Sequence, residues 1–165
     1  ILVIAAAIFQ VVAWVWFLLR ANAAFQIWHG HLPAAAKWLL KLSGIAFSIK
    51  LLLQLVSVLP ALSKLAFGFR PVVIGYLHLV LLAVISLSLL GYCLALGALK
   101  INRPLRAGIT LLVAGILLNE LVLMIQGMAA MYYRYIPYLN EMLLGVAAII
   151  FVSLILVNTS QKRTA

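Results

Sequence analysis

The run Arg70-Pro71-Val72-Val73-Ile74-Gly75-Tyr76-Leu77-His78-Leu79-Val80-Leu81-Leu82 opens an apolar stretch that continues to about Leu99 and holds no charged residue after its first position. A stretch of that length is too long for an ordinary core helix and long enough to cross a bilayer, which asks for about 20 apolar residues over ~30 Å. His78 stands inside it. Polar side chains at membrane depth are costly and seldom kept without a role, so this histidine is a candidate site residue from the outset.

The same pattern repeats along the chain. With 68% apolar residues, 8% charged residues and a mean hydropathy of +1.27, the 165-residue sequence belongs to a polytopic membrane protein rather than to a soluble core. The expected fold is all-α, a polytopic transmembrane helical bundle in a single domain over residues 1–165. Its five spans are expected at about 1–19, 38–59, 71–99, 105–126 and 139–157. Residues 21–37, with Asn22, His29-Gly30-His31 and Pro33, read as a loop with an interfacial turn near Trp28. Pro60 should stop the second span and Pro71 should start the third. Tyr132-Tyr133-Arg134-Tyr135-Ile136-Pro137-Tyr138 reads as an aromatic belt at the headgroup level.

The chain begins at Ile1 and is apolar at once, without the basic flank and small-residue cleavage site of a signal peptide. It is therefore expected to be a piece of a larger bundle whose earlier helices are its first partners, the lipid bilayer being the other. The formal charge of +10 comes from 12 Lys and Arg against Glu120 and Glu141. Because these cations punctuate the apolar runs, the charge points to topology and not to nucleic acid. Arg20, Lys37, Lys100, Arg103, Arg106, Lys162 and Arg163 fall on one side, and Lys64, Arg70 and Arg134 on the other. Seven against three leads us to expect the C-terminal tail in the cytoplasm and Ile1 outside.

Cys93 is the single cysteine, so neither a disulfide nor a CxxC site can form within the chain. His29 and His31, with no nearby Cys, Asp or Glu, make a solvated loop a better reading than a metal site. Helical spacing gathers Ser43, Phe47, Lys50, Gln54, Ser57 and Ala61 on one stripe of the second span. It gathers Gly75, His78, Leu82, Ser86, Cys93 and Gly97 on the third, and Gly108, Gly115, Asn119 and Gln126 on the fourth, with Glu120 one residue round. Small and polar stripes of this kind are helix interfaces.

Depth sharpens the pattern. His78 lies about 10 Å in from Pro71, Lys50 about 15 Å in from Pro60, and Glu120 roughly 10 to 15 Å from the same side, at 1.5 Å per residue. Lys50, His78 and Glu120 are thus expected to converge, with Gln54, Asn119 and Glu141 near them. Such a cluster is read either as a structural Lys50–Glu120 pair or as a proton- or ligand-binding site.

The runs Lys50-Leu51-Leu52-Leu53-Gln54-Leu55-Val56-Ser57-Val58-Leu59-Pro60 and Arg70 to Leu82 resemble the C-terminal part of a group of uncharacterised bacterial multi-span proteins. That group is distantly similar to heme-copper oxidase catalytic subunits and to heme- and copper-containing membrane proteins linked to nitric oxide. The resemblance covers about residues 38–100 and implies the last five spans of a large respiratory-type bundle in a bacterial inner membrane, heme as cofactor and His78 as candidate ligand. The HxH pair that oxidase subunits carry inside a late span has no counterpart here, since His29 and His31 fall in a loop. A proton-coupled or small-solute transporter built around Lys50, Glu120 and His78 is the alternative, and a non-catalytic scaffold or assembly subunit the third. A pair of Gly/Pro-broken spans would favour transport. None is visible, and no residue pattern names an enzymatic reaction.

Overall fold

The computed structural model describes residues 2–28, 32–59, 63–64 and 68–162, and among them it contains helices and no strand. Five helices are long and apolar enough to cross a membrane, so the chain is an all-α membrane-spanning bundle. They are α1 (Leu2–Trp28), α2 (Ala34–Val56), α3 (Arg70–Ala95), α4 (Arg103–Met131) and α5 (Leu139–Lys162). Each packs mainly on its neighbours in sequence, α2 on α1 and α3, and α4 on α3 and α5. The outward faces are Leu, Ile, Val and Phe. The His29-Gly30-His31 segment, Pro60 and Ala61 lie outside the described residues.

Helix ends differ from the expected ones for local reasons. The loop expected from Ala21 does not start there, because α1 runs on to Trp28. Residues 21–28 hold neither Gly nor Pro, and Arg20 can extend its side chain to the interface while its backbone stays helical. In contact with it, the Arg20 guanidinium stands 5.5 Å over the Trp16 ring. The second helix starts at Ala34, directly after Pro33, and ends at Val56, a turn earlier than expected. There Ser57 closes it, its N–H donating to the Leu53 carbonyl and its hydroxyl to the Gln54 carbonyl. The third helix stops at Ala95 because Gly97 turns to φ +70. The Gly97 and Ala98 N–H groups then bond the Leu94 and Cys93 carbonyls, the arrangement in which a left-handed residue seals a helix C-terminus. Gly97 therefore belongs to the cap and not to the helical stripe.

A longer α4 follows from two caps. Asn102 Oδ1 accepts the Leu105 N–H at 2.8 Å, and its Nδ2 donates to the Ser160 carbonyl at 2.9 Å. One side chain thus starts α4 and fastens it to the end of α5. At the far end Tyr133 takes the left-handed position at φ 53, and Arg134 N–H reaches the Ala129 carbonyl at 2.9 Å. The Tyr132, Tyr133, Tyr135 and Tyr138 rings are exposed, as a headgroup belt requires.

The tightest contact is α4 against α5, and small residues make it possible. On α4 these are Gly108 and Gly115; on α5 the stripe is Val146, Ile150, Ser153, Val157 and Ser160, at alternating spacings of three and four. Ser153 and Ser160 are fully buried and return their hydroxyls to Ile150 and Val157 carbonyls, so they add little bulk and no unpaired donor. Gly127, not the Gln126 of the expected stripe, is the third close approach of α4, and it meets Val72 of α3.

Helix α3 is not uniform. Its residues Leu79–Ser86 form a π-helix between α-helical Arg70–His78 and Leu87–Ala95. The wider turn changes the phase, so the single stripe expected from Gly75 to Cys93 is broken. Gly75 faces Leu123 of α4, whereas Gly91 faces Leu39 and Leu40 of α2. The first half of α3 accordingly packs on α4, and its last half on α2. Carbonyls loosened by the π-turn find hydroxyls: Ser43 of α2 donates to Val84 O and Ser86 to Leu81 O, both at 2.9 Å.

Glycine replacements separate packing from propensity. A Cβ at Gly108 would stand 3.0 to 3.2 Å from Val157 Cγ2, Val157 N and Ser153 O, two of them backbone atoms that cannot turn aside, whereas a Cβ at Gly145 meets nothing within 4 Å. Gly108→Ala is expected to lose about 1–3 kcal/mol by overpacking. Gly145→Ala is expected to gain about 0.5–1 kcal/mol by stiffening the helix. Unfolding in mild detergent with a denaturant titration reads both.

Candidate functional site

Where the first half of α3 leaves α2 for α4, a cavity of about 1060 Å³ opens among α1, α2, α3 and α4. Its walls come from Ala7 of α1, from the Leu42–Val58 side of α2, from Pro71 to Leu87 on α3 and from Val113 to Met131 on α4. Nearly all of these side chains are apolar. Ile49 and Leu53 of α2 and Leu117, Met124 and Met128 of α4 line it while also being exposed, so its mouth faces laterally across the hydrocarbon surface of the bundle.

Polar groups on the wall are few: Gln54, Ser57, Ser63, Tyr76 and Glu120. Gln54 Oε1 accepts Lys50 Nζ at 2.6 Å, one helical turn away. Ser57 is used in the α2 cap. Glu120 differs, for its Oε1 is shielded from solvent and has no hydrogen-bond partner, and the Nδ2 of the adjacent buried Asn119 has none either. The two sit close enough to interact but short of bonding geometry, and His78 is the other group whose field reaches the carboxylate.

This arrangement revises the expected cluster. Lys50 and Glu120 do not pair: the lysine is held by Gln54 and stands 5.8 Å over the Phe47 ring. The reason is architectural, since α2 packs on the last half of α3 and α4 on its first half. Depth has changed as well. With α2 ending at Val56 and α4 at Met131, Lys50 lies about 9 Å, His78 about 12 Å and Glu120 about 16 Å from the ends of their helices. Glu120 is therefore the deepest of the three. Glu141 is exposed in the first turn of α5, where a carboxylate favours the helix dipole, and it does not join the site.

His78 is half-buried, and its Nδ1 lies 2.8 Å from the Ile74 carbonyl. A carbonyl can only accept, so Nδ1 carries the proton in this bond and Nε2 is left to take a proton or a ligand. His78 is not on the wall of the large cavity, although Gly75, Tyr76 and Leu79 beside it are. No group of three His, Cys, Asp or Glu that could hold a metal ion occurs among the described residues. Trp14, outside the cavity, docks α1 by donating from Nε1 to Ser48 Oγ at 2.9 Å and by packing edge-on against Phe47 at 4.5 Å.

Comparison with protein-family models, with curated proteins and with solved structures finds no match. The resemblance to the oxidase-like group thus rests on the two sequence runs alone. Function has to be argued from the cavity and its one carboxylate.

A double-mutant cycle tests the revised geometry. Lys50→Met and Glu120→Leu are expected to be additive within about 0.5 kcal/mol, as for groups without shared partners. His78→Leu with Glu120→Leu should instead show coupling of roughly 0.5 kcal/mol or more. Unfolding of the single and double variants in detergent gives both values.

Proposed function

We propose that this membrane-spanning bundle is a binding unit for an amphiphilic small molecule that enters sideways from the bilayer, the core of a small-solute carrier. The observation that carries this reading is the 1060 Å³ cavity itself, apolar on its walls, open between the exposed side chains of α2 and α4, and bordered by Glu120. Its volume stands at the upper end of the ~300–1,000 Å³ usual for small-molecule pockets, whose pattern is an apolar lining with a few polar groups that orient the ligand. An ionisable residue at this depth marks a solute or proton pathway more often than a packing choice. Glu120 is such a residue.

Photolabelling tests the proposal. In lipid nanodiscs, a dodecanol carrying a diazirine in its chain is expected to label cavity peptides around Leu79 and Met124 above the lipid-facing peptide around Phe151. Excess plain dodecanol should suppress that labelling. Uniform labelling that does not saturate would show that the cavity holds nothing beyond ordinary lipid contact.

A second reading follows from the resemblance, and one observation favours it. His78 bonded through Nδ1 to a backbone carbonyl has the tautomer common in metal-ligating histidines, so that Nε2 is the atom that would hold a heme iron. In that reading the bundle would be part of a larger respiratory-type membrane protein. Absorption spectra decide it: the purified protein should show a Soret band that His78→Leu removes.

A further inference from the structure

Glu120 is the one carboxylate on the described cavity wall, and no Lys, Arg or His lines that wall with it. Gln54 Oε1 is taken by Lys50, the Ser57 hydroxyl by the Gln54 carbonyl, and Lys50 itself does not line the cavity. His78 reaches Glu120 electrostatically from off the wall. The carboxylate has its Oε1 shielded and without a hydrogen-bond partner, on a cavity wall that is otherwise almost wholly apolar. Burying a carboxylate oxygen unpaired in apolar surroundings is unfavourable, and either a proton or a cation with N–H donors relieves it.

We propose that the ligand of this cavity is a primary-amine amphiphile, its ammonium head on Glu120 and its alkyl tail along the apolar walls of α2, α3 and α4. This rests on the binding reading above and adds the chemistry of the head group. A primary ammonium supplies a full positive charge and three donors in a compact group, whereas a quaternary ammonium has charge without donors and an alcohol a donor without charge.

The experiment uses the same diazirine-bearing dodecanol on the full chain in phosphatidylcholine nanodiscs, with three unlabelled competitors: dodecylamine, dodecyltrimethylammonium and dodecanol. Dodecylamine is expected to displace the probe at a concentration at least tenfold lower than either of the others. Glu120→Gln should abolish that advantage while dodecanol still competes, Glu120→Asp should retain part of it, and Lys50→Met should leave the ranking intact. Equal potency of the three competitors on the native chain would overturn the amine assignment, and so would an unchanged amine advantage in folded Glu120→Gln. Either result leaves the binding reading standing. Saturable labelling that none of the three displaces would overturn the binding reading as well. So would crosslinks from one copy's cavity residues to another copy, which would assign the groove to an interface between chains.

Discussion

Helix α3 cannot pack along both of its neighbours at once, and the way it divides itself between them shapes the rest of the bundle. Its last half lies on α2 with Gly91 against Leu39 and Leu40; its first half lies on α4 with Gly75 against Leu123. The π-turns from Leu79 to Ser86 sit between the two, shifting the helical phase so that each half presents a small residue to its own partner. Ser43 supplies a hydroxyl to the loosened carbonyl of Val84, which keeps the irregular backbone satisfied where water is absent. Because the first half of α3 has turned to α4, the cavity opens between it and the final turns of α2.

Polar residues obey the same constraint. In hydrocarbon a hydroxyl, amide or ammonium must find a partner inside the bundle, and most here find one within a turn of their own helix. Ser153 and Ser160 bond carbonyls three residues back, Lys50 bonds Gln54 four residues on, and His78 bonds Ile74. Such local satisfaction frees the interfaces to be close and apolar. Among the described residues Glu120 and Asn119 are the exception, each with a shielded polar atom that bonds nothing, and Glu120 lies on the wall of the gap among α1, α2, α3 and α4. That coincidence of unsatisfied polarity and space is what gives the site its functional reading.

The fold class and the number of spans were legible in the residues, because a backbone in lipid must bond within its own helix and leaves only the apolar runs to be counted. The α4 stripe of Gly108, Gly115 and Asn119 was legible too, since all three share one face of a regular helix. The α3 stripe was not. A uniform helix was assumed, and the π segment that breaks it depends on the pull of α2 and α4 on opposite halves. Depth alone sets Lys50, His78 and Glu120 at one level, and it cannot tell that Lys50 stays on Gln54, because the path of α3 between α2 and α4 has no sequence signature.

Hydropathy and helical periodicity, then, determined by themselves that this chain is five membrane-crossing helices with small and polar seams. They could do so because lipid penalises every other backbone arrangement and every unburied polar stripe. Only the tertiary structure decided which seams meet, that Lys50 stays on Gln54, and that Glu120 borders an open cavity. Which helix packs on which depends on close approaches such as Gly75 to Leu123 and Gly91 to Leu39 and Leu40. Those are contacts between residues distant in the chain, and no pattern within a single helix encodes them.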